Sequence, residues 1–355
     1  MDGLEESAEA AKGKLIYPFA EIPQRGHSIE VAPGVHWIRM PLPYSLDHIN
    51  LWALDDGAGW AVVDTGVRTE ETVAVWRELF ANSPDTRGLT RVFVTHMHPD
   101  HVGMAGWLTR KFGVRLWMTR SEYLMCRVMV SDTGREAPDD AIAFYRRAGW
   151  SDAAIETYRT RFGNFGKHIH PLPDSFRRLR DGEVLQIGAH AWRVVTGNGH
   201  SPEHACLYCP DLKVLISGDQ ILPRISSNVS VSPAEPDADP MADWLASLAK
   251  LKREIPDDVL VLPSHGKPFR GLHTRIAQLR QHHVERLAEV MEACREEWRS
   301  AADIVPLMFR RPLDAHQLSF ALGEALAHLH KLWRDGIVRR ECAADGIIRF
   351  RMGID

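Results

Sequence analysis

The chain has 355 residues, 45% of them hydrophobic, which is ample for a large core and leaves room for a small domain beside a catalytic one. Its formal net charge of -4 argues against a protein whose main task is gripping nucleic acid or an anionic membrane, since such proteins carry an excess of Lys and Arg. The five cysteines, Cys126, Cys206, Cys209, Cys294 and Cys342, are odd in number and scattered, so they do not read as a disulfide framework.

Residues 1 to about 30 are polar and lack sustained periodicity, which reads as a frayed arm free to lie across the body. The acidic, Ala-rich start MDGLEESAEAAKGK lacks the basic-then-apolar layout of a signal peptide. No apolar run approaches the roughly 20 residues that span a bilayer, so a cytoplasmic protein is expected. HINLWAL and GWAVVDTG then form two apolar runs joined by a DDGA turn, and RVFVTH is a further strand rich in β-branched residues. HVGMAGWLTRKFG has helical spacing and ends at a glycine. From about 120 to 176 the pattern is helical, in SEYLMCRVMV, PDDAIAFYRRAG and SDAAIETYRTRF. This stretch is either a cover over a site or a packed layer with its aromatics in the core. EVLQIG, HAWRVVTG, ACLYC and KVLISGD return to strands, and VLVLPSHG follows a helix near MADWLASLAKLKREI. Cys206 and Cys209 in CLYC make a CxxC, but two further ligands are lacking nearby, so they read as ordinary thiols. Beyond His265 come the amphipathic stretch HTRIAQLRQHHVERLAEVMEACREEW, helices near AADIVPLMF and LSFALGEALAHLHKLWRDG, and two strands about a turn at ADG. Helices followed by a hairpin suggest a winged-helix-like module.

The sharpest chemical signal is THMHPDH at residues 95 to 101. His96 and His98 are two apart at a strand end, so in extended backbone their imidazoles project to one side and can reach one cation. Asp100 and His101 follow as the chain turns, where they can aim at a second. His200 in TGNGHSPEH, Asp219 in LISGDQI and His265 in VLPSHGKPF each follow a strand-like run and sit beside Gly, Ser or Pro, so all three can reach the same rim of a sheet. The loop after Asp219 contains Arg224, placed to clamp a carboxylate or phosphate, with Ser226, Ser227 and Asn228 beside it. His48 and Asn50 at a strand start are candidates to line the same pocket.

HxHxDH, then His, then Asp, then His, with Asp64 in the preceding VVDTG, resembles the metallo-β-lactamase superfamily over about residues 30 to 275. The resemblance implies an α+β fold, a four-layer αββα sandwich with metals at one edge of the paired sheets. Together with the composition and patterning above, it divides the chain into an arm (1–30), a catalytic domain (31–275, with the helical insertion at about 120–176) and a helical, winged-helix-like C-terminal domain (276–355). It implies that His96, His98 and His200 hold one metal and Asp100, His101 and His265 the other, with Asp219 bridging them. Asp64 would fix a ligand histidine's tautomer, and His204, four after His200, would lie beside the site. The catalytic roles fall to Asp100 and Asp219. The bridging Asp219 disfavours a β-lactam substrate and matches glyoxalase II-like thioesterases, lactonases and RNA-processing relatives. The complete histidine set argues against the di-iron oxidoreductase branch.

Two divalent cations about 3.5 to 4 Å apart lower the pKa of a bridging water towards about 7 and polarise a carbonyl. Zinc suits the mixed imidazole and carboxylate set, and iron or manganese could also bind. The expected activity is hydrolysis of a small-molecule acyl thioester, of acyl-CoA or glutathione type. Lactone hydrolysis stands second and phosphodiester or RNA hydrolysis third. A metal-containing winged-helix regulator is the non-enzyme alternative. The tail from Met291 onward carries about ten basic and ten acidic residues, no positive field for nucleic acid. It is read as packing, homodimerisation or shaping of the substrate entrance.

Overall fold

The computed structural model describes residues 11–82 and 87–353; the acidic start of the expected arm, residues 1–10, lies outside them. Strands β1 (Ser28–Ala32), β2 (Val35–Pro41), β3 (His48–Asp55) and β4 (Trp60–Val63) pair antiparallel in succession. β4 then pairs in parallel with β5 (Leu89–Phe93), and the sheet continues through β6 (Leu116–Met118) to β7 (Arg177–Arg178). Parallel neighbours need long crossovers. These contain α1 (Glu70–Asn82) between β4 and β5, and α2 (Pro99–Val102) with α3 (Ala105–Phe112) between β5 and β6. Between β6 and β7 lie α4 (Arg120–Ser131), α5 (Asp139–Arg147) and α6 (Asp152–Arg161).

The second sheet comprises β8 (Val184–Ile187), β9 (His190–Gly197), β10 (His204–Cys209), β11 (Val214–Gly218) and β12 (Leu260–Pro263), in the order β12-β11-β10-β9-β8. Its one parallel pair, β11 with β12, is joined through α7 (Pro240–Glu254). The chain ends in α8 (Leu272–Ala293), α9 (Ala301–Met308), α10 (Ala315–Arg334) and a hairpin of β13 (Val338–Cys342) and β14 (Ile348–Met352).

Strand alternation sorts the apolar side chains into layers. Trp37, Trp52, Val63 and Phe93 of the first sheet meet Trp192, Val194, Leu207, Ile216 and Leu262 of the second in a core between the sheets. The outer face of the first sheet, including Met40, Val62 and Val92, packs on Val75, Trp76, Leu108 and Tyr123 from helices. The outer face of the second, including Val195, Cys206 and Val261, packs on Trp244, Leu248, Ile276 and Leu326. The result is a four-layer αββα arrangement, mixed α and β, as the resemblance implies.

Cys206 belongs to the outer core and Cys209 to the inter-sheet core, so the pair faces opposite sides of β10 and cannot share a cation. The aromatic residues of α5 and α6 are packing residues. Tyr145 is buried in the same core as Ile304 and Leu322, and its ring stacks on Trp150 with centroids 4.2 Å apart. The N–H of Ala302 donates to the carbonyl of Ala148, tying this layer to α9.

Three local features differ from the sequence reading. Residues 28–30, placed in the arm, form part of β1, and the arm itself pairs at Ile16 with Arg270. The helix expected over 101–113 is broken into α2 and α3 around Gly103 and Met104. The long helix expected to run to Trp298 stops at Ala293. Among the described residues no helix is long and apolar enough to cross a membrane.

Candidate metal centre

Two residues past β5, Thr95 donates its backbone N–H to Oδ1 of Asp64 at 2.8 Å. That bond fixes where the next residues emerge. His96 Nε2 and His98 Nδ1 converge to 2.9 Å. His98 is the extended residue at the start of α2, with Pro99 following, so the chain turns and sends Asp100 and His101 back over the sheet edge. The second sheet contributes His200 after β9, Asp219 after β11 and His265 after β12.

These side chains gather into two groups, His96, His98, His200 and Asp219, and then Asp100, His101 and His265. Within each group the ligand atoms lie within 4.8 Å of one another. Asp219 faces both. Its Oδ2 is 3.5 Å from His200 Nε2, while its Oδ1 is 3.5 Å from His101 Nε2 and 3.6 Å from His265 Nε2. Asp100 Oδ2 is 3.4 Å from His265 Nε2 and 3.6 Å from His101 Nε2.

The donor set fits cations. His101 Nε2, His200 Nε2 and Asp219 Oδ1 are buried without a hydrogen-bond partner. Each such orphan costs about 1–3 kcal/mol unless something else satisfies it. Imidazole nitrogens with carboxylate oxygens are a set that zinc and similar divalent ions accept.

For His101, His200 and His265 the other ring nitrogen is held by an acceptor, which decides the tautomer. His200 Nδ1 donates to the carbonyl of Asn228 at 2.7 Å and His265 Nδ1 to the carbonyl of His48 at 2.8 Å, so both present Nε2 lone pairs inward. His101 Nδ1 lies 2.8 Å from Asp64 Oδ2. Asp64 itself sits at φ 63, a left-handed conformation unusual for a residue with a side chain, and it is almost fully buried. Strain of this kind persists where surrounding bonds over-determine it. Here the bonds are those from Thr95 and His101.

Electrostatics follow burial and neighbours. Burial, reinforced by the other imidazoles, holds His96 and His204 well below the ordinary histidine range and His98 at about 3. Burial opposes the charge on His101 and His265, but the carboxylates around them, Asp100 and Asp219 above all, override it and raise both. The same imidazoles overcome the burial of Asp100 and hold its carboxyl down at about 2.

The remaining expected residues have clear locations. His204 is fully buried, and its Nε2 accepts the N–H of Asp219 at 3.1 Å. Gly218 makes this possible. Its φ is 52, and a Cβ there would lie 2.4 Å from His204 Nε2. Asn50 and His48, expected in the pocket lining, are instead occupied in bracing the His265 loop. Asn50 is fully buried, donates from Nδ2 to Pro263 and Gly266 carbonyls at 2.8 Å each, and accepts from Trp37 Nε1 at 2.8 Å. His48 Nε2 accepts the N–H of Gly266 at 3.0 Å. Asn228 spends its side-chain amide on Glu324, 2.9 Å away, and not on open space. Arg224 is exposed.

Sequence reasoning missed Thr95 and Glu122. Glu122, fully buried in the first turn of α4, accepts the N–H of Met97 at 2.9 Å and that of Glu203 at 2.8 Å. It therefore joins the loop of His96 and His98 to the loop of His200. The only signal was its type, a carboxylate in an otherwise amphipathic helix.

Residues 44–265 match the family described as the metallo-beta-lactamase superfamily, and residues 287–353 match the one described as the metallo-beta-lactamase-like C-terminal domain. The chain belongs to the metallo-β-lactamase superfamily. It is similar to the solved structure of a beta-lactamase domain protein from Burkholderia ambifaria, with 48% identity and a TM-score of 0.88 over 99% of this chain and 100% of that one. Among curated proteins it is similar to a beta-lactamase-like protein 2 homolog from Caenorhabditis elegans, 22% identical over 300 residues, covering 84% of this chain and 83% of that protein. It is also similar to the hydroxyacylglutathione hydrolase GloC of Haemophilus influenzae, 23% identical over 215 residues, 60% of this chain and 82% of that protein.

Proposed function

We propose that this chain is a dinuclear zinc hydrolase of small-molecule acyl thioesters, of the acyl-CoA or glutathione type. The observation that carries the reading is Asp219, whose two oxygens face two separate ligand groups. His96, His98, His200 and Asp219 would hold one cation, and Asp100, His101, His265 and Asp219 the other. Bound there, the two cations supply Lewis-acid activation of water and of the substrate carbonyl near neutral pH.

The chain's own residues set the geometry for that chemistry. Asp100, ionised and fixed between His101 and His265, is an acceptor that orients the attacking water. Tyr44, on the loop between β2 and β3, is 45% exposed, and burial followed by the charge of Asp100 raises its phenol pKa. It offers an O–H and a ring face to substrate. Leu46 on the same loop and Ile225 on the loop after Asp219 are also exposed, apolar surface suited to an acyl chain. The relative named hydroxyacylglutathione hydrolase supports a thioester substrate. The even charge of the tail supports a small-molecule partner over nucleic acid.

The test is elemental analysis of protein purified without chelator, followed by thioester, lactone and phosphodiester panels on wild type and Asp219→Ala. About two metals per chain and thioester turnover lost in the variant are the expected results. Turnover of lactones or phosphodiesters alone would replace the substrate class. Protein that neither holds nor takes up metal would sink the reading.

A further inference from the structure

Loop 219–231 begins at a candidate ligand, Asp219, and at Asn228 passes its carbonyl to another, His200. It forms no strand of either sheet. Its first residues are tied to β10 and β11, by His204 to the N–H of Asp219 and by Ser217 to the carbonyl of Ile221, and from Leu222 onward the C-terminal helices hold it. Arg275 on α8 is buried and has no ion pair among the described residues; it donates from Nε to the carbonyl of Leu222 at 2.5 Å and from a terminal nitrogen to that of Ile225 at 2.8 Å. Farther along α8, His283 Nε2 lies 3.1 Å from the hydroxyl of Ser226. On α10, Glu324 accepts from Asn228 Nδ2 at 2.9 Å, and the carbonyl of Gly323 accepts the N–H of Val231 at 3.1 Å. A Cβ on Gly323 would lie 2.7 Å from the side chain of Ser230, so helix and loop approach as closely as glycine permits.

Both polar ends of the Asn228 side chain are engaged. Nδ2 donates to Glu324, and Oδ1 accepts from the hydroxyl of Ser230 at 2.5 Å. A side chain pinned at both ends fixes the peptide that carries it, and that peptide's carbonyl orients His200. An imidazole whose Nδ1–H is held presents Nε2 in one direction, and loss of such a partner typically weakens metal binding about 10- to 100-fold.

We propose that the C-terminal helices are a positioning part of the metal centre, with Glu324 anchoring Asn228 and Asn228 aiming His200 at its cation. The inference rests on the dinuclear reading of the site. It assigns the tail a task inside the catalytic domain.

The test uses the full chain, with zinc titrated against a chromophoric chelator and the metal-free protein checked by circular dichroism and unfolding. Glu324→Leu is expected to weaken one of the two zinc ions about 10-fold or more and leave the other unchanged. Glu324→Gln keeps an acceptor oxygen and is expected to titrate like wild type. Asn228→Ala keeps the carbonyl but loses the anchor, and it reports on the same link should Glu324→Leu fail to fold. Titrations indistinguishable from wild type in folded Glu324→Leu or Asn228→Ala would overturn the inference. So would an equal weakening of both ions in step with a loss of metal-free stability. Wild-type protein that takes up no zinc would remove the dinuclear reading as well, so the two failures are distinguishable.

Discussion

Glu122 and Glu203 hold each other's segments in place: the N–H of Glu203 donates to Glu122 at 2.8 Å, and the carboxylate of Glu203 accepts the N–H of Ser121 at 2.9 Å. With the further bond from Met97 to Glu122, three chain segments meet at one buried carboxylate.

Removing that carboxylate leaves two half-buried N–H groups unpaired, about 1–2 kcal/mol each, the lower part of the range for a lost partner. Glu122→Ala is therefore expected to lose roughly 2–4 kcal/mol by denaturant titration. Glu122→Gln recovers only part, because its NH2 meets a donor. A Gln variant as stable as wild type would show that the reciprocal pair contributes little.

Asp64→Asn separates the shape of Asp64 from its charge. The amide oxygen still accepts from Thr95, but the NH2 facing His101 Nδ1 favours the tautomer with its proton on Nε2, the nitrogen aimed at Asp100 and Asp219. Metal content is expected to fall from about two towards one per chain, with affinity for the second ion down about 10- to 100-fold. Full occupancy in the variant would place the function of Asp64 elsewhere.

Gly218 and His204 should be energetically coupled. Gly218→Ala adds a Cβ 2.4 Å from His204 Nε2 at a left-handed φ, which is expected to cost about 2 kcal/mol or more. His204→Ala removes the obstacle along with the acceptor for the N–H of Asp219. The double variant should be less damaged than the sum by at least about 0.5 kcal/mol in a stability cycle. Strict additivity would mean that the contact relaxes without strain.

Glu324 carries a pH signature. Burial raises its pKa to about 7, against the smaller opposing effects of the bond from Asn228 and the charge of Arg286. In this acid the folded state holds the proton more tightly than the unfolded state. Its contribution to stability is complete below the ordinary pKa of 4.5 and is lost as pH rises to about 7. The neighbouring His283 and His328, buried and lowered to about 3 and 4, have the opposite dependence, so the comparison must be by difference. Glu324→Gln should gain on wild type by roughly 2 kcal/mol between pH 4.5 and 8, a value discounted for the part of the residue that reaches solvent. A flat difference would show that the carboxyl is well solvated.

Much of this was legible in the chain because it is local. The spacing of His96, His98, Asp100 and His101 needs only a strand end and one turn, and HAWRVVTG forms the strand that its alternation describes. The first two strands escape such patterning because Ser28–Ala32 is short and half-exposed and Val35–Pro41 carries His, Arg and Pro among its apolar residues. The break at Gly103 is hidden because both pieces share one helical pattern. The supports are illegible for a different reason. Asn228 and Glu324 are 96 positions apart, and Asn50 and Gly266 are 216, so nothing in the local pattern of either residue names its partner.

Each candidate cation draws ligands from both halves of the sandwich: His96 and His98 with His200 and Asp219 in one case, Asp100 and His101 with His265 in the other. The ions would therefore act as rivets between two layers, added to the hydrogen bonds that Asn50, His48 and Glu122 already make across this edge. Saturating one such site at a hundredfold excess over its dissociation constant adds about 2.7 kcal/mol against unfolding. Depletion should loosen the rim before the core, letting the two halves breathe apart where the rivets were and leaving the tryptophan-rich interior closed.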